Sequence, residues 1–124
     1  MTVPTVNDYL VQARANRAHA EWLLTERPSD PTAMQWAVTA VFYNALHGLT
    51  AYLLARGIIV RSHSARDRAL THPANGVPQN IYDAYHNLDD HGRDARYALV
   101  AFTHQEVRDL LDQDLASIAT FVGM

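Results

Sequence analysis

The sequence predicts an all-α fold, an up-and-down four-helix bundle with one additional short helix. Three observations carry that expectation. Apolar residues recur at helical spacing in each long segment, and no segment alternates with the period of two that marks a strand. Capping and breaking residues stand where those segments begin and end. The chain has 124 residues, which suits one domain over 1–124 with one hydrophobic core.

The first helix is expected from about Asn7 to Thr25. Thr5 is placed to cap it, with Asp8 three residues on, and Tyr9, Ala13, Ala20, Leu23 and Leu24 repeat at helical spacing. Arg27-Pro28-Ser29-Asp30-Pro31 breaks the chain. The second helix is expected from Pro31 to Arg56, with Pro31 in the first turn and Gly57 as its left-handed terminator. It is apolar around most of its circumference, which makes it the central helix. Ile58 to Val60 is β-branched but too short to build a sheet.

A short helix follows from about Ala65 to Thr71, with Ser64 and Asp67 as its capping pattern. His72 to Pro78 reads as a loop. The fourth helix spans about Gln79 to Tyr97, with Ile81, Tyr85, Leu88 and Ala95 inward. Tyr82, His86, Asp89, Arg93 and Arg96 form an adjacent polar stripe, and Gly92 is expected to weaken or bend the helix. Thr103-His104-Gln105-Glu106 is a capping box that opens the last helix, whose inward face is Val107, Leu111, Leu115, Ile118 and Val122.

Composition narrows the function classes. Hydrophobic residues are 48% and charged residues 19%, which excludes a disordered chain. There is no cysteine, which excludes disulfides, thiolate metal sites and a cysteine nucleophile, and fits a reducing, cytoplasmic setting. The net charge of −3 supplies no bulk field for nucleic acid, although a local patch remains open. All ten basic residues are Arg, as a GC-rich genome or selection for bidentate phosphate recognition would each give. Met1 to Asn7 has no signal-peptide pattern, and Trp36 to Leu54 is too polar for a comfortable membrane span.

Several polar residues fall where chemistry is expected. Tyr43 and His47 lie four apart on the apolar second helix, as a satisfied core pair or as polar groups of a pocket. His63 and Arg66 stand near a helix start, where free N–H groups favour anions, or they simply face solvent. Arg93, Arg96 and Tyr97 end one helix and His104 opens the next, so they can converge on one anionic group. The alternative is a dipole pairing for Arg96 and an exposed His104. His19, His47, His63, His72, His86, His91 and His104 form no metal-ligand spacing, so no metal and no cofactor are expected.

Trp36 to His47, Ser62-His63-Ser64-Ala65-Arg66 and Arg93-Asp94-Ala95-Arg96-Tyr97 together resemble small bacterial HEPN (higher eukaryotes and prokaryotes nucleotide-binding) proteins, over about Tyr9 to Val122. The resemblance implies a helical bundle that commonly dimerises, with a link to RNA or nucleotides. Catalytic members are metal-independent RNA endonucleases of toxin and defence systems, which implies an antitoxin-type protein partner. Their motif is an Arg followed at short range by a His near the start of the last long helix. Here Arg96 and His104 are separated by seven residues, longer than that motif, while Arg14–His19 and Arg66–His72 have its spacing at other places.

Three functions are therefore expected as alternatives. The first is a homodimeric binding module whose Tyr43, His47, His63, Arg66, Arg93, Arg96 and Tyr97 hold a nucleotide, RNA or another anion. The second is an endoribonuclease with Arg93 or Arg96 on the phosphate and His104 as base, His47 or His63 being substitutes. The third is a structural or adaptor bundle. The homodimer is also expected because a monomer cannot easily cover both the last helix's stripe and the second helix.

Overall fold

The structure, a computed structural model, describes residues 2–124. Its elements are α1 (Val6–Glu26), α2 (Pro31–Ala55), α3 (His63–Thr71), a 3₁₀ turn at Pro73–Asn75, and α4 (Gln79–Tyr97). The last helix, α5, runs over 104–122 as His104–Asp109, a π-helical stretch Leu110–Leu115, and Ala116–Val122. No strand occurs among the described residues. The all-helical expectation and the bundle of four long helices and a short one hold.

Local chemistry sets most boundaries. At α1, the Thr5 N–H donates to Asp8 Oδ2 at 2.8 Å and the Asp8 N–H to Thr5 Oγ1 at 3.1 Å, a complete capping box. Asp30 caps α2 by accepting from the Thr32 and Ala33 N–H groups, with Pro31 in the first turn. Gly57 takes φ +78°, a left-handed backbone that ends the helix. Thr103 and Glu106 form the box that starts α5.

Two local expectations are corrected. α3 begins at His63, and its cap is Ser62, whose Oγ accepts from the Ala65 N–H at 3.0 Å; Ser64 lies inside the first turn. Both serines are legal caps, and the extended backbone at Ser62 decides between them. α4 runs through Gly92 without interruption. A Cβ there would stand 3.2 Å from Phe42 Cβ, so the missing side chain is what lets α4 approach α2.

Sixteen of the twenty-five residues of α2 are buried, which makes it the axis of the bundle. α1, α4 and α5 all pack on it. By length and composition α2 passes for a membrane span, but 78% of its apolar window is covered by the other helices, as in a core helix. On α5, Val107, Leu111, Leu115 and Ile118 are fully buried within one chain. The monomer thus covers most of both stripes, with Val122 half-buried and Trp36 and Tyr43 exposed, which weakens the packing reason given above for a dimer. The uncovered helix is α1, in which Ala13, Ala20, Leu23 and Leu24 alone are buried.

Candidate anion-binding groove

The site is built on the part of α2 that its neighbours leave open. Tyr43 and His47, one turn apart, lie with ring centroids 6.1 Å apart and planes at 28°. They stack, where the spacing also allowed a mutual hydrogen bond. Tyr43 is 37% exposed and His47 half-buried. From α1, the Tyr9 ring centroid lies 6.0 Å from that of His47. His47 Nδ1 is sheltered from solvent and has no hydrogen-bond partner. Burial first, and the nearby Arg66 charge second, hold the imidazole below its usual range, so it is neutral at pH 7.

α3 brings Arg66 against this line. Arg66 stands four residues before Leu70, at an inward position of a short helix, and only 9% of it is exposed. Its Nε donates to Thr50 Oγ1 at 3.3 Å, while the Thr50 hydroxyl donates to the Leu46 carbonyl at 2.7 Å. Among the described residues no carboxylate forms an ion pair with Arg66. A guanidinium taken from water without a counter-charge is costly, and attracts an anion. The neighbouring Tyr85 hydroxyl is pushed up to about 12 by burial, with the Arg66 charge opposing.

α4 supplies two further arginines. Arg93 Nε donates to Asp89 Oδ1 at 3.1 Å, and Asp89 is buried, so this arginine is neutralised within its own helix. Arg96 is not. Its guanidinium carbon lies 5.2 Å from the Phe42 ring, 5.4 Å from Tyr43 and 5.3 Å from Tyr97, an aromatic nest that suits a cation. Its Nε and Nη1 are sheltered and have no acceptor. The Gly92 position leaves the room: a Cβ there would be 3.1 Å from Arg96 Nη1.

The structure thus places Arg66 near His47 and Arg96 beside Tyr43, at the two ends of the Tyr43–His47 stack, with Tyr97 as an exposed ring beside Arg96. His63 is exposed at the first residue of α3. The expected convergence of Arg96 with His104 is corrected. His104 Nε2 lies 3.1 Å from the Leu24 carbonyl, where it donates to an orphan acceptor in the last turn of α1. Arg96 instead folds back onto α2. Sequence reading missed Tyr9, Thr50 and Asp89 as neighbours of the groove. It also missed a cavity of about 390 Å³ between the start of α2 and the end of α4, lined by Thr32, Gln35, Trp36, Thr39, Ala95, Arg96 and Leu99. The exposed Trp36 on a mostly buried helix was the signal. No cluster of metal-ligating side chains occurs among the described residues.

No family model matches the chain, and no curated protein matches it. Among solved structures, the crystal structure of TT1696 from Thermus thermophilus is similar, at 30% identity and a TM-score of 0.76, covering 95% of each chain. The chain belongs to the TT1696 family. That membership fixes the all-helical fold over nearly the whole length. Within the TT1696 fold, the groove stands on this chain's own residues.

Proposed function

We propose that this TT1696-family protein is a HEPN-like binding module whose groove takes a nucleotide, RNA or another phosphate-bearing anion. One observation carries the reading: two sheltered guanidiniums, Arg66 and Arg96, lack carboxylate partners beside the Tyr43–His47 stack. Phosphate satisfies both the charge and the unfilled N–H donors. The exposed Tyr43 counts against the purely structural alternative, which needs a fully buried Tyr–His pair.

Titration calorimetry with inorganic phosphate, nucleotides and short ribo-oligonucleotides tests it. Binding should weaken steeply with salt, and Arg66→Met should lower affinity at least about tenfold, the loss of one charge-assisted contact. A flat response to every one of these ligands at low salt sinks the reading.

A second reading is a metal-independent endoribonuclease, favoured by the neutral, unpartnered His47 beside Arg66. A neutral imidazole can take the proton of a ribose 2′-OH as it attacks the adjacent phosphate, and arginine stabilises the charge that develops. RNA cleavage with EDTA present, leaving 2′,3′-cyclic ends and lost in His47→Ala, is expected. Cleavage that survives His47→Ala rules out this assignment.

The homodimer and an antitoxin-type partner belong to the same reading. For the homodimer the support is the outer face of α1, where Val11, Ala15, Ala18 and Trp22 recur at coiled-coil-like spacing and none is buried. Light scattering that gives a 13.9 kDa species at micromolar concentration refutes the dimer. Rescue of growth by a co-expressed neighbouring gene product tests the partner.

A further inference from the structure

We propose that the cavity between the start of α2 and the end of α4 is a base subsite, holding a planar nucleobase while its phosphate lies in the adjacent groove. The inference rests on the groove being a nucleotide site, and it assigns Trp36, Gln35, Thr39 and Leu99 a role that the groove itself does not give them. Three departures from ordinary packing meet there.

The first is Trp36, 59% exposed on the helix that is otherwise the core of the bundle. An indole at a cavity wall offers a stacking face to any base. The second is Leu99, a non-glycine residue at φ +53° and 76% exposed. It follows the last turn of α4, where the Ala98 and Val100 N–H groups both donate to the Asp94 carbonyl at 3.2 Å. Glycine is the usual residue at such a position, and leucine is strained there. What the leucine adds is an apolar side chain at the cavity wall. The third is Arg96, which lines the cavity, touches the groove through Tyr43 and carries two sheltered nitrogens, Nε and Nη1, whose N–H groups have no acceptors. Buried donors without partners are rare in folded proteins, and a ligand oxygen satisfies them.

The polar groups of the cavity suit the edge of a base. Gln35 Nε2 donates to the Val100 carbonyl at 3.1 Å, which fixes the carboxamide and leaves its Oε1 to accept. The Thr39 hydroxyl donates to the Gln35 carbonyl at 3.0 Å, so its oxygen also remains an acceptor. Nucleobases carry N–H donors for such acceptors and a flat face for the indole. The volume of about 390 Å³ falls in the range of small-molecule sites. Arg96 is the hinge between the two subsites, with one side toward the phosphate groove and the other toward the base.

The test compares inorganic phosphate, ribose 5-phosphate and the four nucleoside 5′-monophosphates on the full chain by titration calorimetry. At least one monophosphate should bind about five- to a hundredfold tighter than ribose 5-phosphate, the range that base–aromatic stacking supplies. In a Trp22→Phe background, which leaves Trp36 as the sole indole, that monophosphate should quench the fluorescence. Trp36→Ala should abolish the preference and leave ribose 5-phosphate affinity unchanged. Leu99→Gly, which relieves the backbone, should keep the fold and lower nucleotide affinity alone. Equal affinities for nucleotide and ribose 5-phosphate, or a preference that survives both Trp36→Ala and Leu99→Gly, overturn the base subsite and leave the groove standing. No binding of phosphate, sugar phosphate or nucleotide overturns the groove reading itself.

Discussion

Arg108 and Arg66 are the same side chain in opposite circumstances. At the α1–α5 contact, Arg108 reaches Glu21 with both terminal nitrogens, at 3.2 and 2.9 Å, and Asp112 lies 3.7 Å away. The Arg108 guanidinium in turn holds the Glu21 carboxyl below its ordinary range through that hydrogen bond. Arg108 and Glu21 answer each other's charge within the fold. At the α2–α3–α4 contact, Arg66 is more deeply buried and Arg96 is wrapped in rings, yet neither has a carboxylate. The first contact ties helices together. The second leaves charge and donors unanswered. Counting arginines separates nothing; which of them the fold leaves unanswered is informative.

The sharpest way to break this comparison is to neutralise each arginine and read binding and stability separately. Arg66→Met should lower phosphate or nucleotide affinity at least about tenfold, while the melting temperature stays the same or rises, because a buried charge without a partner is replaced by a chain of similar volume. Arg108→Met should do the reverse. It should leave affinity unchanged and cost about 0.5–1 kcal/mol, the worth of a half-exposed ion pair. A fall in melting temperature for Arg66→Met comparable to that of Arg108→Met places Arg66 among the structural arginines.

Gly92→Ala comes next. A better helix former gains about 1 kcal/mol, but the added Cβ meets Phe42 Cβ at 3.2 Å and Arg96 Nη1 at 3.1 Å, and crowding of this kind costs about 1–3 kcal/mol. Denaturant melts should show a net loss, together with weaker anion binding as Arg96 is displaced. His104→Ala, which frees the Leu24 carbonyl at the end of α1, should lower stability by about 1 kcal/mol and leave binding intact.

The smallest effect is on pH. The His47 imidazole is held below its ordinary value of 6.5 in the fold, so the folded state disfavours its protonation. The unfolded chain then binds the proton first, and stability declines as pH falls through about 6.5 toward the lower folded value. Glu21, also lowered, contributes its own decline only below its ordinary value of 4.5. Melting temperatures from pH 7.5 to 5 should therefore fall, and His47→Gln should flatten that part of the curve.

Much of the fold is legible in the sequence because its signals are local. The capping boxes at Thr5 and Thr103, the left-handed Gly57 and both ends of α4 depend on residues within a turn of one another. The Tyr43–His47 contact is legible for the same reason, being a one-turn spacing on a helix. The start of α3 is not, since Ser62 and Ser64 satisfy the same rule and the backbone chooses. Nor is the separation of Arg96 from His104, because proximity along the chain does not give proximity in space.

Spacing and composition alone dictate the long helices, the capping boxes at Thr5 and Thr103, the central place of α2 and the absence of thiol chemistry. Which polar groups are answered is settled only by how the helices dock. Glu21 meets Arg108 across 87 positions of sequence and Leu24 meets His104 across 80, and no short-range pattern encodes such encounters. Arg66 and Arg96 are left over for the same physical reason: whether a buried charge finds a partner depends on the side chains that packing brings within about 4 Å, and that distance is set only when the helices have docked.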